Sequence, residues 1–323
     1  VKRILVALAA AAIVVSLVAC RGVKRPASRP TPAEPGATLW ESPKEFHSQD
    51  LLFGPWGRER APDPREIYTL VERKHTGVNR GMTVVDSRGR EWSVKQPYPS
   101  GLDSEAPVEV TLSRLLSAIG YHQPPVYYLP AFTLKDDWGT HRETGGRFRL
   151  KERTLKEEGA WRWEENPFVG SRPYQGLLVV LMMVNNTDMK NSNNSLYELR
   201  RAGRVEQWYV VRDIGASFGD TRREPRKNHL PSFVKTPFIL GVSNGFVDFD
   251  YNGHYKNLVR DRITPEDVLW ASNLLGRLSE RQWNDAFRAG GYDPETARGF
   301  IRKLREKIDQ GRSLSQRAAT PAR

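Results

Sequence analysis

A single cysteine in 323 residues leaves no partner for an intrachain disulfide and excludes a Cys-rich zinc site. The six histidines, His47, His75, His122, His141, His229 and His254, fall at no metal-ligand spacing, and no Gly-x-Ser-x-Gly turn occurs. Neither a metallohydrolase nor a serine hydrolase is therefore expected. The basic excess, 50 Lys and Arg against 38 Asp and Glu, is spread along the chain instead of forming one stripe with aromatics. That distribution argues against nucleic acid as a partner. An anionic lipid, glycan or acidic protein surface suits it better. The composition that remains builds a core: 38% hydrophobic residues and nine tryptophans stand far from the disordered regime. At this length the chain holds one large domain or two smaller ones.

The longest apolar run comes first. Lys2-Arg3 precede an uncharged stretch from Ile4 to Ala19 that closes on Leu17-Val18-Ala19-Cys20. The stretch is shorter than the ~20 residues of a membrane-spanning helix, and its charged start is that of an export signal, expected over residues 1–19. Its ending resembles the bacterial lipobox. The resemblance implies that Cys20 is lipidated and becomes the first residue of a mature lipoprotein held in membrane lipid. Several acyl chains would make that anchor stable. By resemblance to Gram-negative lipoprotein sorting, Arg21 in place of an Asp implies the outer membrane if the source is Gram-negative. The expected location is extracytoplasmic. Residues 20–38, rich in Pro, Arg and Ala, read as a disordered tether, residues 39–310 as the ordered body, and 311–323 as a disordered tail.

Within the body, Gly81 to Lys95 reads as two strands around an Asp-Ser-Arg-Gly turn, with Lys95 closing the second. Glu105 to Ile119 has helical spacing of Val108, Leu112, Leu115, Leu116 and Ile119, and Gly120 stops it. Glu105 and Glu109, four apart, share a face. Further strands are expected at 125–134 and 147–150, then a buried helix at 174–184, apolar nearly all round. Asn185 to Asn194 crowds Asp188, Lys190 and five amides into one loop ahead of a strand at 195–199. A second strand at 207–211 delivers Asp213-Ile214-Gly215, so the hairpin should bring Asp188, Asn193 and Asp213 to one end. Asn185, Asn186 and Asn194 suit turn and cap roles. From Thr264 onward, three helical stretches carry leucine and aromatic stripes that read as core.

These residues carry a resemblance. Asp188-x-Lys190-x-x-Asn193 is similar to the protein-kinase catalytic loop, Asp213-x-Gly215 to the Asp-Phe-Gly metal motif, and Lys95 to the kinase N-lobe lysine, with Glu109 or Glu105 as its ion-pair partner. The order of motifs matches over about residues 70–220. A second Gly soon after Asp-x-Gly, and no Ala-Pro-Glu element, look more like the atypical kinases: the HipA-like, phosphoinositide-kinase-like, spore-coat CotH and secretory-pathway families. The resemblance implies an α+β, two-lobed kinase-like fold, with a β-rich N-lobe over about 60–165 and a mainly helical C-lobe over about 166–310. It also implies Mg²⁺- or Mn²⁺-dependent transfer from ATP to a hydroxyl acceptor in the cell envelope. Asp188 would orient or deprotonate the acceptor and Lys190 steady the transferring group. Asn193 and Asp213 would bind metal, while Lys95, Glu109, Gly77 and Gly81 would form the nucleotide site. Gly77 and Gly81, four apart, depart from the usual G-x-G-x-x-G. Residues 222–255 occupy the place of an activation segment. Two other readings stay open: a pseudokinase-like binding module using the same cleft, and a structural lipoprotein.

Overall fold

Asp86 turns the first expected hairpin. Its Oδ1 accepts the N–H groups of Arg88 (3.0 Å) and Arg90 (2.9 Å), and Gly89 supplies the left-handed residue at φ 73°. Its Oδ2 accepts Trp92 Nε1 (3.0 Å) and Arg90 Nε (2.7 Å), so the turn is tied into the strand that follows.

The structure is a computed structural model that describes residues 29–74, 80–97, 104–201, 203–222 and 226–318. The expected signal segment 1–19, Cys20 and Gly77 lie outside the described residues. In chain order the strands and helices are β1 (Arg29–Pro30), β2 (Ala37–Thr38), β3 (Ile67–Lys74), β4 (Gly81–Val85), β5 (Glu91–Lys95) and α1 (Glu105–Ala118). They continue with β6 (Val126–Asp136), β7 (Gly139–Leu150), β8 (Leu155–Gly159), β9 (Glu165–Asn166), α2 (Arg172–Met183), β10 (Asn194–Arg201) and β11 (Arg204–Val211). The chain ends with α3 (Leu230–Lys235), β12 (Ile239–Ser243), β13 (Phe246–Phe249), α4 (Pro265–Leu275), α5 (Glu280–Ala289) and α6 (Pro294–Ala318).

The fold is α+β and two-lobed. Strands β3-β4-β5-β7-β6 close a barrel, antiparallel except where β3 meets β6. Its interior is aromatic: Tyr68, Trp92, Phe132 and Phe148 fill it with edge-on contacts. Met82 and Val84 of β4, Trp92 and Val94 of β5, and Phe148 of β7 point inward, so the period of two turns Gly81, Lys95 and Arg147 outward. Helix α1 packs on β6 and β7 and, on its other side, on α5, joining barrel to helices. In the second lobe α2 packs on α4, and α6 on α3, α4 and α5, around Phe218, Phe233, Phe287 and Phe300. A four-stranded sheet, β2-β11-β10-β8, lies at the junction. Among the described residues no helix is long and apolar enough to cross a membrane.

Three expectations are corrected. The stretch read as a tether pairs from Arg29 on: β1 lies beside β9 and β2 beside β11. Thr38 Oγ1 also stands 3.0 Å from His122 Nε2, and the His122 ring stacks on Trp208 at 4.4 Å. The tail read as structureless from Gly311 is helical to Ala318, because Gly311 lets α6 close onto Ser272 and Val268 of α4, where a Cβ would clash. Strand β3 precedes the strand taken as first. Ile67 (51% exposed) and Val71 (59%) break its inward pattern.

Candidate active site

Lys95 ends β5 on the outer face of the barrel, where α1 crosses it. Its Nζ stands 2.7 Å from Asp213 Oδ1, 2.8 Å from Glu105 Oε2 and 3.6 Å from Glu109 Oε2. Of the two glutamates left open by the sequence, Glu105 makes the shorter contact. Glu109 is 3% exposed, and its Oε1 lies 2.8 Å from Arg147 Nε on β7. Burial works to lower the Lys95 pKa, but Glu109, Asp213 and Glu105 together outweigh it and hold the ammonium charged. Burial likewise works to raise Asp213, and Lys95, with Arg147 and Arg212 behind it, brings the carboxyl below its usual range. Gly81 is the cross-strand partner of Lys95.

Gly215 has a packing reason. A Cβ there would lie 2.5 Å from Glu105 Cβ and 3.1 Å from its carbonyl oxygen, so only glycine lets α1 sit against the Asp213 segment. Glu105 Oε1 also takes Lys227 Nζ at 2.5 Å, and Asn228 Nδ2 donates to Ser104 O at 3.1 Å, just ahead of α1. The segment after Asp-x-Gly thus grips the start of α1, a contact with no local sequence signal.

Asn193 unites the rest. Its carbonyl accepts the N–H groups of Arg212 (3.0 Å) and Asp213 (3.1 Å), while its Nδ2 donates to the Asp188 carbonyl (2.6 Å) and carboxylate Oδ2 (3.2 Å). One residue therefore fixes both acidic residues, Asp188 through its side chain and Asp213 through its backbone carbonyl. Asp188 Oδ1 faces Lys190 Nζ at 2.8 Å and His254 Nε2 at 3.6 Å. His254 arrives on a turn whose N–H donates to Thr187 O (3.0 Å) and whose Gly253 fits against Thr187 and Tyr251. Sequence reasoning missed it because two hairpins and a short helix lie between it and Asp188 in the chain.

The surrounding amides tie the loop to the segment after Gly215: Asn186 Nδ2 donates to Ser217 Oγ (2.9 Å) and Asn185 Nδ2 to Gly219 O (2.7 Å). Asn185 is itself held by Lys307 of α6, whose Nζ donates to Asn185 Oδ1 (2.8 Å) and Met183 O (2.9 Å) over the Phe233 ring (4.3 Å). Burial drives the Lys307 pKa well below its ordinary value.

Among the described residues no group of three or more His, Cys, Asp or Glu could hold a metal ion. The donor set is instead mixed. Asp213 keeps 45% of its side-chain surface open beside the Lys95 contact, and the Asn193 nitrogen is committed to Asp188, leaving its oxygen for another partner. A hard oxygen pair of this kind fits Mg²⁺, which usually takes one or two protein oxygens and completes its shell with phosphates and water.

No family model matches the chain, and no curated protein matches it in sequence. Solved structures similar to it include the Helicobacter pylori proinflammatory kinase CtkA, at 12% identity and TM-score 0.44 over 78% of this chain and 99% of that one. The Golgi casein kinase with Mn/ADP bound is similar at 9% identity and TM-score 0.38, over 80% and 75% of the two chains. Another structure of the Golgi casein kinase gives 8% identity and TM-score 0.36 over 86% and 76%.

Proposed function

We propose that this chain is a kinase-like phosphotransferase, moving a phosphoryl group from a metal-bound donor, ATP in the first instance, to a hydroxyl acceptor. The observation that carries the reading is the Lys95 ammonium set between Asp213 at 2.7 Å and Glu105 at 2.8 Å, joining the Lys95 and Glu105 stretch to one more than a hundred positions further on. Phosphoryl transfer asks mainly for positioning and charge neutralisation, and the cleft is equipped for both. Asp188 would take the acceptor hydroxyl in hydrogen bond and receive its proton as the oxygen attacks. Asn193 holds that carboxylate in place through its amide. Lys190, now on Asp188, would turn to the transferring group, and Lys95 to the donor phosphates. Asp213 and Asn193 would hold Mg²⁺, which when bound neutralises phosphate charge. Glu105, bridged to Lys95 and Lys227, keeps α1 in register with the site.

The test is a thermal melt of the purified chain with ATP, with and without Mg²⁺ or Mn²⁺, followed by γ-labelled ATP with envelope extract. Stabilisation only with metal present, lost in Asp213→Ala, and label transfer lost in Asp188→Ala, support the reading. Metal-dependent stabilisation with no transfer from the unaltered chain would favour a pseudokinase-like binding module, and an unchanged melt would sink both.

The anchor is part of the same proposal. The apolar run ending at Cys20 supports lipidation and an extracytoplasmic place on a membrane. Labelled palmitate should enter the unaltered protein and not Cys20→Ser.

A further inference from the structure

The donor site raises a question of its own: what lies beyond the phosphates. The cross-strand pairs Lys74↔Gly81, Gly81↔Lys95 and Lys95↔Arg147 form one row across β3, β4, β5 and β7. Three strand spacings of about 4.8 Å make the row about 14 Å long. Directly opposed residues show the same face, so three cations share it, and the Lys74 stem lies over Gly81, 3.3 Å from where a Cβ would stand. The next row on that face is Glu72, Thr83, Ser93 and Arg149, so one carboxylate stands among the cations there. Thr83 is 2% exposed, and its hydroxyl has no hydrogen-bond partner.

The facing wall adds Arg212. It pairs closely with Glu157, which Arg149 also approaches at 3.4 Å while donating to Tyr197 Oη at 2.8 Å. Charge is unevenly met along this surface. Lys95, Arg147 and Lys227 face Asp213, Glu105 and Glu109, three against three. Arg149 and Arg212 share the one carboxylate of Glu157, Glu72 stands in the Arg149 row, and Lys74 makes no ion pair among the described residues. Burial, then Arg149, Lys151, Arg147 and Arg212, lower the Lys74 pKa, the mark of like charges crowded together. An aromatic base needs apolar walls. This face presents ammonium and guanidinium groups, and the forked donors of the latter suit phosphate oxygens.

We propose that the donor in this cleft is an oligophosphate, a chain of phosphoryl groups running from the Lys95 and Asp213 end along the cation row to Lys74, Arg149 and Arg212, where a nucleotide would need a pocket for its base. The inference rests on the phosphoryl-transfer reading above and names the donor for it. In the transfer, the acceptor oxygen forms a bond to the terminal phosphorus, and the bridging P–O bond breaks with its electron pair left on the shortened chain. The hydroxyl proton passes to Asp188. Inorganic polyphosphate and a nucleoside carrying extra phosphates share this chemistry.

Calorimetric titration of the full chain with Mg²⁺ separates the possibilities, using ATP, adenosine, tripolyphosphate, long-chain polyphosphate and adenosine tetraphosphate. Long-chain polyphosphate should bind more tightly than ATP by about tenfold or more, with an affinity that falls with salt, and adenosine alone should not bind. A gain for adenosine tetraphosphate over both ATP and long-chain polyphosphate would assign the nucleotide source instead of the inorganic one. Lys74→Met and Arg149→Met should each lower the polyphosphate-to-ATP affinity ratio by about tenfold. Lys74 lies at a strand end, half-exposed, so its variant tests the row even if Arg149→Met fails to fold. ATP binding more tightly than both tripolyphosphate and long-chain polyphosphate, or a ratio unmoved by Lys74→Met, overturns the proposal. Asp213→Asn reports on the underlying reading separately: it should abolish metal-dependent binding of every phosphate ligand. If it does not, while Lys74→Met still weakens polyphosphate, the anion site stands and the transfer reading falls.

Discussion

Lys95 Nζ and Asp213 Oδ1 meet at 2.7 Å although 118 positions separate them in the chain. The contact spans the two lobes, since Lys95 ends a barrel strand and Asp213 follows the hairpin of the junction sheet. Removing the ammonium leaves Asp213, Glu105 and Glu109 around an empty place. Lys95→Met should therefore destabilise the protein by on the order of 3 kcal/mol, read as a lower urea midpoint, and should also abolish stabilisation by ATP with Mg²⁺.

Asp188 is held by its neighbours without being consumed by them: Asn193 takes one carboxylate oxygen and Lys190 the other, with 29% of the side chain open. Asp188→Asn keeps the shape and loses the base. Transfer should fall by roughly a hundredfold or more with donor affinity little changed, a split that single-turnover kinetics and titration read independently.

Gly215→Ala tests the seam between α1 and the Asp213 segment. The added methyl meets Glu105 Cβ and the backbone behind it, which cannot swing aside as a side-chain tip can. A stability loss of about 1–3 kcal/mol is expected together with a fall in transfer rate of about tenfold or more, as Glu105 is pushed off Lys95. Loss of stability with full activity per folded molecule would count against the coupling.

His122 gives the pH dependence a sign. Burial lowers its pKa to about 4 from the model-peptide 6.5, against the weaker pull of Glu206 and Glu41. The folded state favours the neutral ring, so its contribution is complete above 6.5 and is lost as pH falls from 6.5 through about 4. His122→Phe, which keeps a ring for Trp208 to stack on, should show a shallower decline in stability across that window in denaturant titrations.

Much of this site could be read in the chain because its chemistry is locally spaced. Asp188, Lys190 and Asn193 share one loop, Asp213 and Gly215 share a hairpin end, and Lys95 closes a strand with Glu105 and Glu109 one helical turn apart. Lys74, Arg147, Arg149, Lys227 and His254 stayed hidden because strand register and the tertiary path of the chain after Asp213 bring them in, and neither leaves a periodic trace. The same limit explains the ends. Gly311 has the look of a stop in one dimension and is a point of helix contact in three. The pairing of residues 29–38 depends on edges offered by β9 and β11, more than a hundred positions away.

The buried amine of Lys307 against Asn185 and Met183 has a consequence for the order in which the molecule matures. During translation the Asp188 loop emerges long before the residue that braces its first turn. A nascent chain halted before Lys307 emerges would carry the full set of reactive groups and still lack their brace, so competence should arrive only once α6 has been made.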